Sequence, residues 1–553
     1  MDKFLEKLSK KLSINVVMIL FVTLILLIPM IFLNTNIYND NGIQHISRVF
    51  GTDIAFRSSE TFPNIIPNFA NGFGYSWNLF YSPLTAALPL MFKLIVSSHT
   101  MCYKLFLCLS IFLSGITMYV FTKKVSQNKK IALLSSIVYM CMPYHMSCLY
   151  ITYSITELVG YVCIPLVFLG LYNLFNDKDK SYYFIFGFTG LLLTNFNLCI
   201  IASLFSVIYI FCNTKKMDKK VVVELLKNII FIILISAFFI VPLIESESKS
   251  DYQLFRNDIT EEKFLNGAIQ FNRLLATPSD APIVYELGIF VIIALGFASF
   301  ALRYSQKECK KNYIIFTVFA VLSVIMSLKN FPWKYSNVAM NFIQKPTYFI
   351  IFLNFFISFV ISINLFCTIK NFKSKDIIVI TIILMLYLGS LTKFISYRDN
   401  EIIDIGEWKL GKISGKVDEV VAGLGEELYL PVKAYENRFY IATRNDYTYV
   451  LEGKSLIENE KKDGTNMSFK IETFNEDTVF ELPYIYYIGY NVTLDGEPLE
   501  TFETDNGFLG VNLEKESRGT IDVVYTGTVF MKVAYAISVV SLMVLFIDIL
   551  KKR

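Results

Sequence analysis

Apolar runs of about twenty residues alternate along this chain with short loops rich in lysine, the pattern of a protein that crosses a bilayer many times. Such runs recur from Ile14 to Phe366, return over 376–395, and end with one at 529–549. They predict transmembrane helices near 14–33, 101–121, 131–147, 158–175, 183–196, 198–212, 222–243, 285–302, 313–328, 347–366, 376–395 and 529–549. The short pair flanking Thr194–Asn197 also reads as a hairpin that stops short of a full crossing. The run SPLTAALPLMFKLIV, Ser82–Val96, is assigned to the outer surface as an interfacial helix, because a crossing there would turn the lysines of 123–130 outward. Between Tyr397 and Thr528 the period changes to that of strands, with tight turns marked by Asp495-Gly496 and Asn506-Gly507.

The pattern therefore predicts a polytopic α-helical membrane protein of about twelve spans over residues 1–396, with a long first outer loop at 34–100. An extracytoplasmic β-sandwich follows at 397–528, then a last span and a basic cytoplasmic tail at 529–553.

Composition agrees. Of 553 residues 54% are hydrophobic and 18% charged, far from the balance of a soluble enzyme. The lysines and arginines fall in seven segments, at 3–11, 123–130, 178–180, 215–220, 303–311, 370–375 and 551–553, which fixes both chain ends on the inner side. Topology accounts for the net charge of +4, so no nucleic-acid partner is implied. The first apolar run is long and lacks a small-residue cleavage site, so it reads as a span. None of the nine cysteines lies in the 397–528 segment, which must hold together without disulfides.

Six motifs in order resemble one family. They are NGIQHISR after the first span, NGFGYSWNLFYSPL at Asn71–Leu84, PYHMSCLYITYSITELVGYVCIPLVFLGL at Pro143–Leu171, FFIVPL before the second large outer loop, FPW and IQKP at 331–346, and the late PYIYYIGYNVTLDGEPL with its following NGF. Together they resemble the bacterial YfhO-like membrane proteins of the GT-C superfamily. That resemblance covers nearly the whole chain and implies a GT-C-like glycosyltransferase of the bacterial plasma membrane. It would take a sugar from a lipid-linked monophosphate, typically undecaprenyl phosphate, and give it on the outer face to a cell-envelope acceptor such as a teichoic acid or a glycolipid. It also admits as partner a cytoplasmic-side enzyme that makes the lipid-linked sugar. Members of the family tend to carry Asp-Gly-x-x-His in the first outer loop. Here Asn41 stands four residues before His45, and the acid, Asp40, is one position earlier.

Transfer to a hydroxyl needs a carboxylate that takes the acceptor proton and cations that steady the departing phosphate. Asp40 is the first candidate base, with Asn41, His45 and Arg48 on one helical face beside it. The competing reading makes Asp40 or Asn41 an N-cap and leaves His45 and Arg48 at headgroup depth. Glu157 is the second candidate, at the outer end of a span after Tyr144 and His145; its plain alternative is a helix-capping surface residue. Tyr75, Trp77 and Tyr81 are assigned to a donor cleft, although interfacial aromatics are common in any membrane protein. Arg57, Lys334 and Lys345 are outer-side cations that suit a phosphate or a lipid headgroup equally. His45 and His145 could join Glu157 around a divalent cation, but no His-x-x-x-His spacing calls for a metal. Two other classes stay open: a lipid-linked-sugar flippase or transporter, which should carry mid-span charges and internal repeats, and a non-catalytic envelope scaffold.

Overall fold

The computed structural model describes residues 14–32, 40–57, 63–177, 181–256, 259–275, 285–287, 307–335, 337–369 and 428–551. Its main helices are α1 (Ile14–Leu26), α2 (Asp40–Arg57), α3 (Leu84–Leu90), α4 (His99–Ser126), α5 (Lys129–Met140), α6 (Pro143–Tyr150) and α7 (Ile155–Asn176). After these come α8 (Tyr182–Leu192), α9 (Phe196–Cys212), α10 (Lys219–Ile235), α11 (Ala237–Lys249), α12 (Lys307–Ser327), α13 (Tyr348–Ile369) and α14 (Val529–Lys551).

Side-chain caps set several starts. Ser98 accepts from the Met101 amide before α4, Asn195 from Leu198 before α9, and Asp218 from Val221 before α10. Among the described residues five helices, α4, α7, α12, α13 and α14, are long and apolar enough to cross a membrane. The number rises to seven if each bent pair, α5 with α6 at 49° and α10 with α11 at 65°, is one span. The expected twelve are therefore not reproduced. The α8 and α9 helices, with 11 and 17 residues, are short for a full crossing. The 376–395 span lies outside the described residues, and of 285–302 only 285–287 is described, without helix. The Ser82–Val96 run forms α3 and one 3-10 turn, Met91–Leu94, too short to cross, with Leu94 and Ile95 almost fully exposed.

The bundle packs around α13, whose apolar stretch is 94% buried, whereas that of α14 is only 28% buried and lies at the edge. Phenylalanines fill the centre: Phe355 stands 5.0 Å from Phe121 and 5.2 Å from Phe168, and Phe356 stands 5.1 Å from Phe205. Lipid is as apolar as these side chains, so close packing holds such helices together. Two glycines let α7 and α8 touch. A Cβ on Gly170 would come within 2.1 Å of the Phe184 amide nitrogen, and one on Gly187 within 2.6 Å of that of Val167.

The lysine-bearing ends gather on one side of the bundle. There Lys124 pairs with Asp177 at 3.1 Å, Lys227 with Asp548 at 2.8 Å, and Lys311 donates to Asn213 at 2.6 Å. The starts of α4, α7, α13 and α14 lie at the opposite side, and so does the C-terminal β region.

That region holds two antiparallel sheets formed by β1 (Tyr449–Glu452), β2 (Ser455–Asp463), β3 (Asn466–Thr473), β4 (Thr478–Ile485), β5 (Tyr490–Leu494), β6 (Glu497–Leu499), β7 (Thr501–Glu503), β8 (Phe508–Leu513) and β9 (Arg518–Tyr525). One has the order β1-β4-β8-β7 and the other β2-β3-β9-β5-β6. Phe480 and Val511 of the first share a core with Phe469, Val492 and Ile521 of the second. Asp495 and Gly496 both take positive φ between β5 and β6, as a two-residue hairpin turn demands.

The same core includes Phe73, Tyr75 and Trp77, so NGFGYSW is a strap that fastens the first loop to the β region. The Ile485 amide donates to the Phe73 carbonyl at 3.0 Å, and Lys462 donates to the Gly72 carbonyl at 2.7 Å. Gly74 has a φ of +86°, and a Cβ there would strike Ile65. Beside Phe73 lies a fully buried ion pair, Arg444 with Glu481 at 3.1 Å.

Candidate functional site

The site grows from the start of α7. Ser154 caps that helix by accepting from the Glu157 amide at 3.4 Å, which leaves the Glu157 carboxylate free for other work. Its Oε2 accepts from the Tyr144 hydroxyl at 3.1 Å and from the Cys148 thiol at 2.9 Å, both on α6. Among the described residues no donor reaches Oε1 and no cation lies within ion-pairing distance. The α5–α6 bend makes this possible: Pro143 opens α6 and turns it so that positions 144 and 148, one helical turn apart, both face Glu157. Tyr285 stacks on Tyr144 with centroids 5.3 Å apart. Lys345, Tyr348 and Tyr81 all lie close enough to interact with the Glu157 charge. Lys345 is exposed, and Tyr348 lies beside Asn195 and Asn197.

Tyr81 joins this carboxylate to the first loop. Its phenol lies beside Thr156, next to Glu157, while its ring lies 4.7 Å from the Arg48 guanidinium and 6.5 Å from the His45 ring. Burial pushes the Tyr81 phenol up to about 12, with Arg48 pulling the other way. His45 also stacks near Tyr103 at 6.4 Å. Burial first, and Arg48 second, bring its pKa down to about 3, so its imidazole is neutral at pH 7.

Arg48 is 1% exposed and is held by neutral groups. Nε donates to Asn78 at 3.0 Å, Nη1 to Thr85 at 2.8 Å, and Nη2 to the carbonyls of Tyr81 and Ser82 at 2.5 and 2.6 Å. Asn78 in turn donates to Thr52 and to the Pro63 carbonyl. No described carboxylate pairs with Arg48, and burial lowers its pKa to about 10. Four of its five N–H groups shape the 78–85 loop, which is where Tyr81 obtains its place.

The expected site residues thus divide. Glu157, Tyr144, Tyr81, Lys345, His45 and Arg48 come together. Helix α2 begins at Asp40, and the side chains of Asp40 and Asn41 lie outside what the structure describes. His145 is buried below, its Nδ1 3.0 Å from the Tyr139 carbonyl and its ring stacked 3.7 Å from Tyr161. Arg57 is exposed and pairs with Asp53 at 2.9 Å. Tyr75 and Trp77 do not line a cleft: they are buried against Tyr429, and the Tyr75 hydroxyl accepts from the Tyr429 amide. Their partners are more than 350 positions away, so interfacial placement was the natural expectation. Sequence reasoning passed over Cys148, Thr156 and Tyr348. The first two lay inside a quoted motif, and the Ser-x-x-Glu at 154–157 was a visible helix-start signal. Among the described residues no three His, Cys, Asp or Glu side chains are placed to hold a metal ion.

The family model described as bacterial membrane protein YfhO matches residues 68–406, which takes in the strap, the Arg48-bound loop and Glu157. An uncharacterized protein of Lactococcus lactis subsp. cremoris (strain MG1363) is 24% identical, over 97% of this chain and 95% of its own length. Multi-pass helical character and a match over more than half of the sequence lead to one statement: the chain belongs to the YfhO family of bacterial membrane proteins.

Proposed function

We propose that this protein is a glycosyltransferase that moves a sugar from a polyprenyl-phosphate, of the undecaprenyl type, to a hydroxyl of a cell-envelope glycopolymer or glycolipid. On this reading the lysine-bearing ends face the cytoplasm, and the two sheets form an extracytoplasmic sandwich. The observation that supports it is Glu157, a carboxylate anchored through one oxygen, open at the other, and set at the end of the bundle opposite the lysines. Oε1 takes the proton of the acceptor hydroxyl as that oxygen bonds to the anomeric carbon. The bond from that carbon to the phosphate oxygen breaks, and the polyprenyl phosphate leaves with its charge met by Lys345. Tyr144 and Cys148 orient the base, and Arg48 acts through the loop it holds.

Reconstitution in liposomes with radiolabelled polyprenyl-phosphate sugar tests this. The parent transfers label, and Glu157→Gln loses at least about 100-fold, the scale expected for a general base. Undiminished transfer in that variant removes the base assignment. Lipid scrambling without transfer replaces the transferase with a flippase.

A further inference from the structure

A second site lies where α11 meets the β region. The end of α11 (Glu247, Lys249), Ser250, Asp251 and Arg256, the short helix Val432–Glu436 and Glu503 of β7 line an open cleft of about 570 Å³. Its floor is fixed, because the Gln253 amide donates to the Leu430 carbonyl at 3.0 Å and the Val432 amide to that of Asp251 at 2.9 Å. Its walls are polar, with carboxylates from Glu247, Asp251, Glu436 and Glu503 and cations from Lys249, Arg256 and Lys433.

The cations are already matched. Lys249 pairs with Glu245 at 3.0 Å, Arg256 with Asp251 at 2.6 Å, and Lys433 with Asp505 at 3.2 Å. Glu247, Glu436 and Glu503 have no such partner among the described residues, and the Glu503 Oε1 is shut off from solvent without a hydrogen bond. Tyr486 lies at the same edge, near Glu503 and Lys249, and places a ring beside these acids. Free carboxylates repel anions, the described acids do not group as a metal site, and the interspersed cations disfavour a polycation. A neutral ligand with many hydroxyl donors, long enough to cross the cleft, satisfies what remains.

We infer that this cleft binds a neutral glycan chain through its hydroxyl groups. On the transferase reading, on which this identification of the ligand rests, the chain is the acceptor. Behind the cleft, Tyr252 lies 4.5 Å from Phe80 and Tyr429 stacks on Phe80 at 5.8 Å, and the residue after Phe80 is Tyr81.

The full chain in nanodiscs is titrated with neutral hexasaccharides (a glucan, a galactan and an N-acetylglucosamine oligomer) and with spermidine, and binding is read by saturation-transfer NMR and calorimetry. A neutral oligosaccharide binds with an affinity unchanged between about 0.05 and 0.3 M salt, since no ion pair is screened. Glu503→Ala and Glu436→Ala each weaken it by about 10-fold, the value of one lost charged hydrogen bond. Glu503→Gln, which keeps shape and one acceptor, weakens it less and guards against misfolding as the cause. The inference falls if no hexasaccharide binds up to about 10 mM, a range that covers weak sites, if the alanine variants bind as the parent does, or if only spermidine binds. Binding is read without transfer, so intact binding with no transfer sinks the transferase reading alone, and transfer without cleft binding sinks this one.

Discussion

Two carboxylates, one buried and one at a rim, show how differently one chain can use the same group. Glu481 in the β region is closed on every side: Arg444 and Tyr440 hold Oε1, and Thr504 and Asn506 hold Oε2. Arg444 is itself stacked between rings, 4.3 Å from Tyr449 and 4.8 Å from Phe508. Among the described residues Glu157 has two neutral donors on one oxygen, no cation in contact and no donor on the second oxygen. A saturated ion pair in a core resists change and serves shape. A half-satisfied carboxylate at a polar rim is held in direction while staying able to accept a proton. The two arginines repeat the lesson: Arg444 has its acid, whereas the described partners of Arg48 are all neutral, two carbonyls, one side-chain amide and one hydroxyl.

The comparison breaks most sharply if the closed pair is opened. Glu481→Ala leaves a buried guanidinium without its acid and should cost about 3–5 kcal/mol, seen as a lower unfolding temperature and early proteolysis of the β region. Glu157→Gln should do the reverse, costing transfer about 100-fold, or roughly 3 kcal/mol of barrier, while unfolding shifts by about 1 kcal/mol or less. Equal stability losses in the two variants would erase the distinction.

Acid titration sharpens it at the first loop. The His45 pKa is lowered in the fold, so between pH 6.5 and about 3 the unfolded chain binds a proton that the folded chain refuses, and stability falls as pH falls. At pH 5 this should amount to about 1–2 kcal/mol, and His45→Asn should remove that part of the acid sensitivity in thermal unfolding. The smallest effect is at the anchors: Tyr144→Phe removes one hydrogen bond to Oε2 and should slow transfer by about 5-fold with little change in donor affinity. A change in KM alone would make Tyr144 a substrate contact.

Much of the bundle could be read in advance because its apolar runs are local. The α4, α7 and α13 helices match the predicted 101–121, 158–175 and 347–366 to within a few residues. The bends at 141–142 and 236 were not legible, since a broken helix and a continuous one carry the same hydrophobic run. At the site, Glu157 stood out as an acid beside apolar residues, and its anchors lie 13 and 9 positions away. The role of Arg48 depended on its hydrogen bonds to 78–85, which periodicity cannot express. The aromatic strap was misplaced for the same reason at greater distance: Phe73 lies against Phe508 and Arg444, and no local pattern points across that separation.

The strap also sets a timetable for synthesis. Tyr75 and the Tyr429 amide that pairs with it are 354 residues apart. At about 5–20 residues per second, roughly 20 to 70 s pass between the ribosome making one and the other. Throughout that interval Phe73, Tyr75 and Trp77 lack the late surface, Tyr429 and Phe508, that covers them in the fold. Assembly is most open to error then, and a factor that shelters this face until the last third of the chain emerges would act in that window.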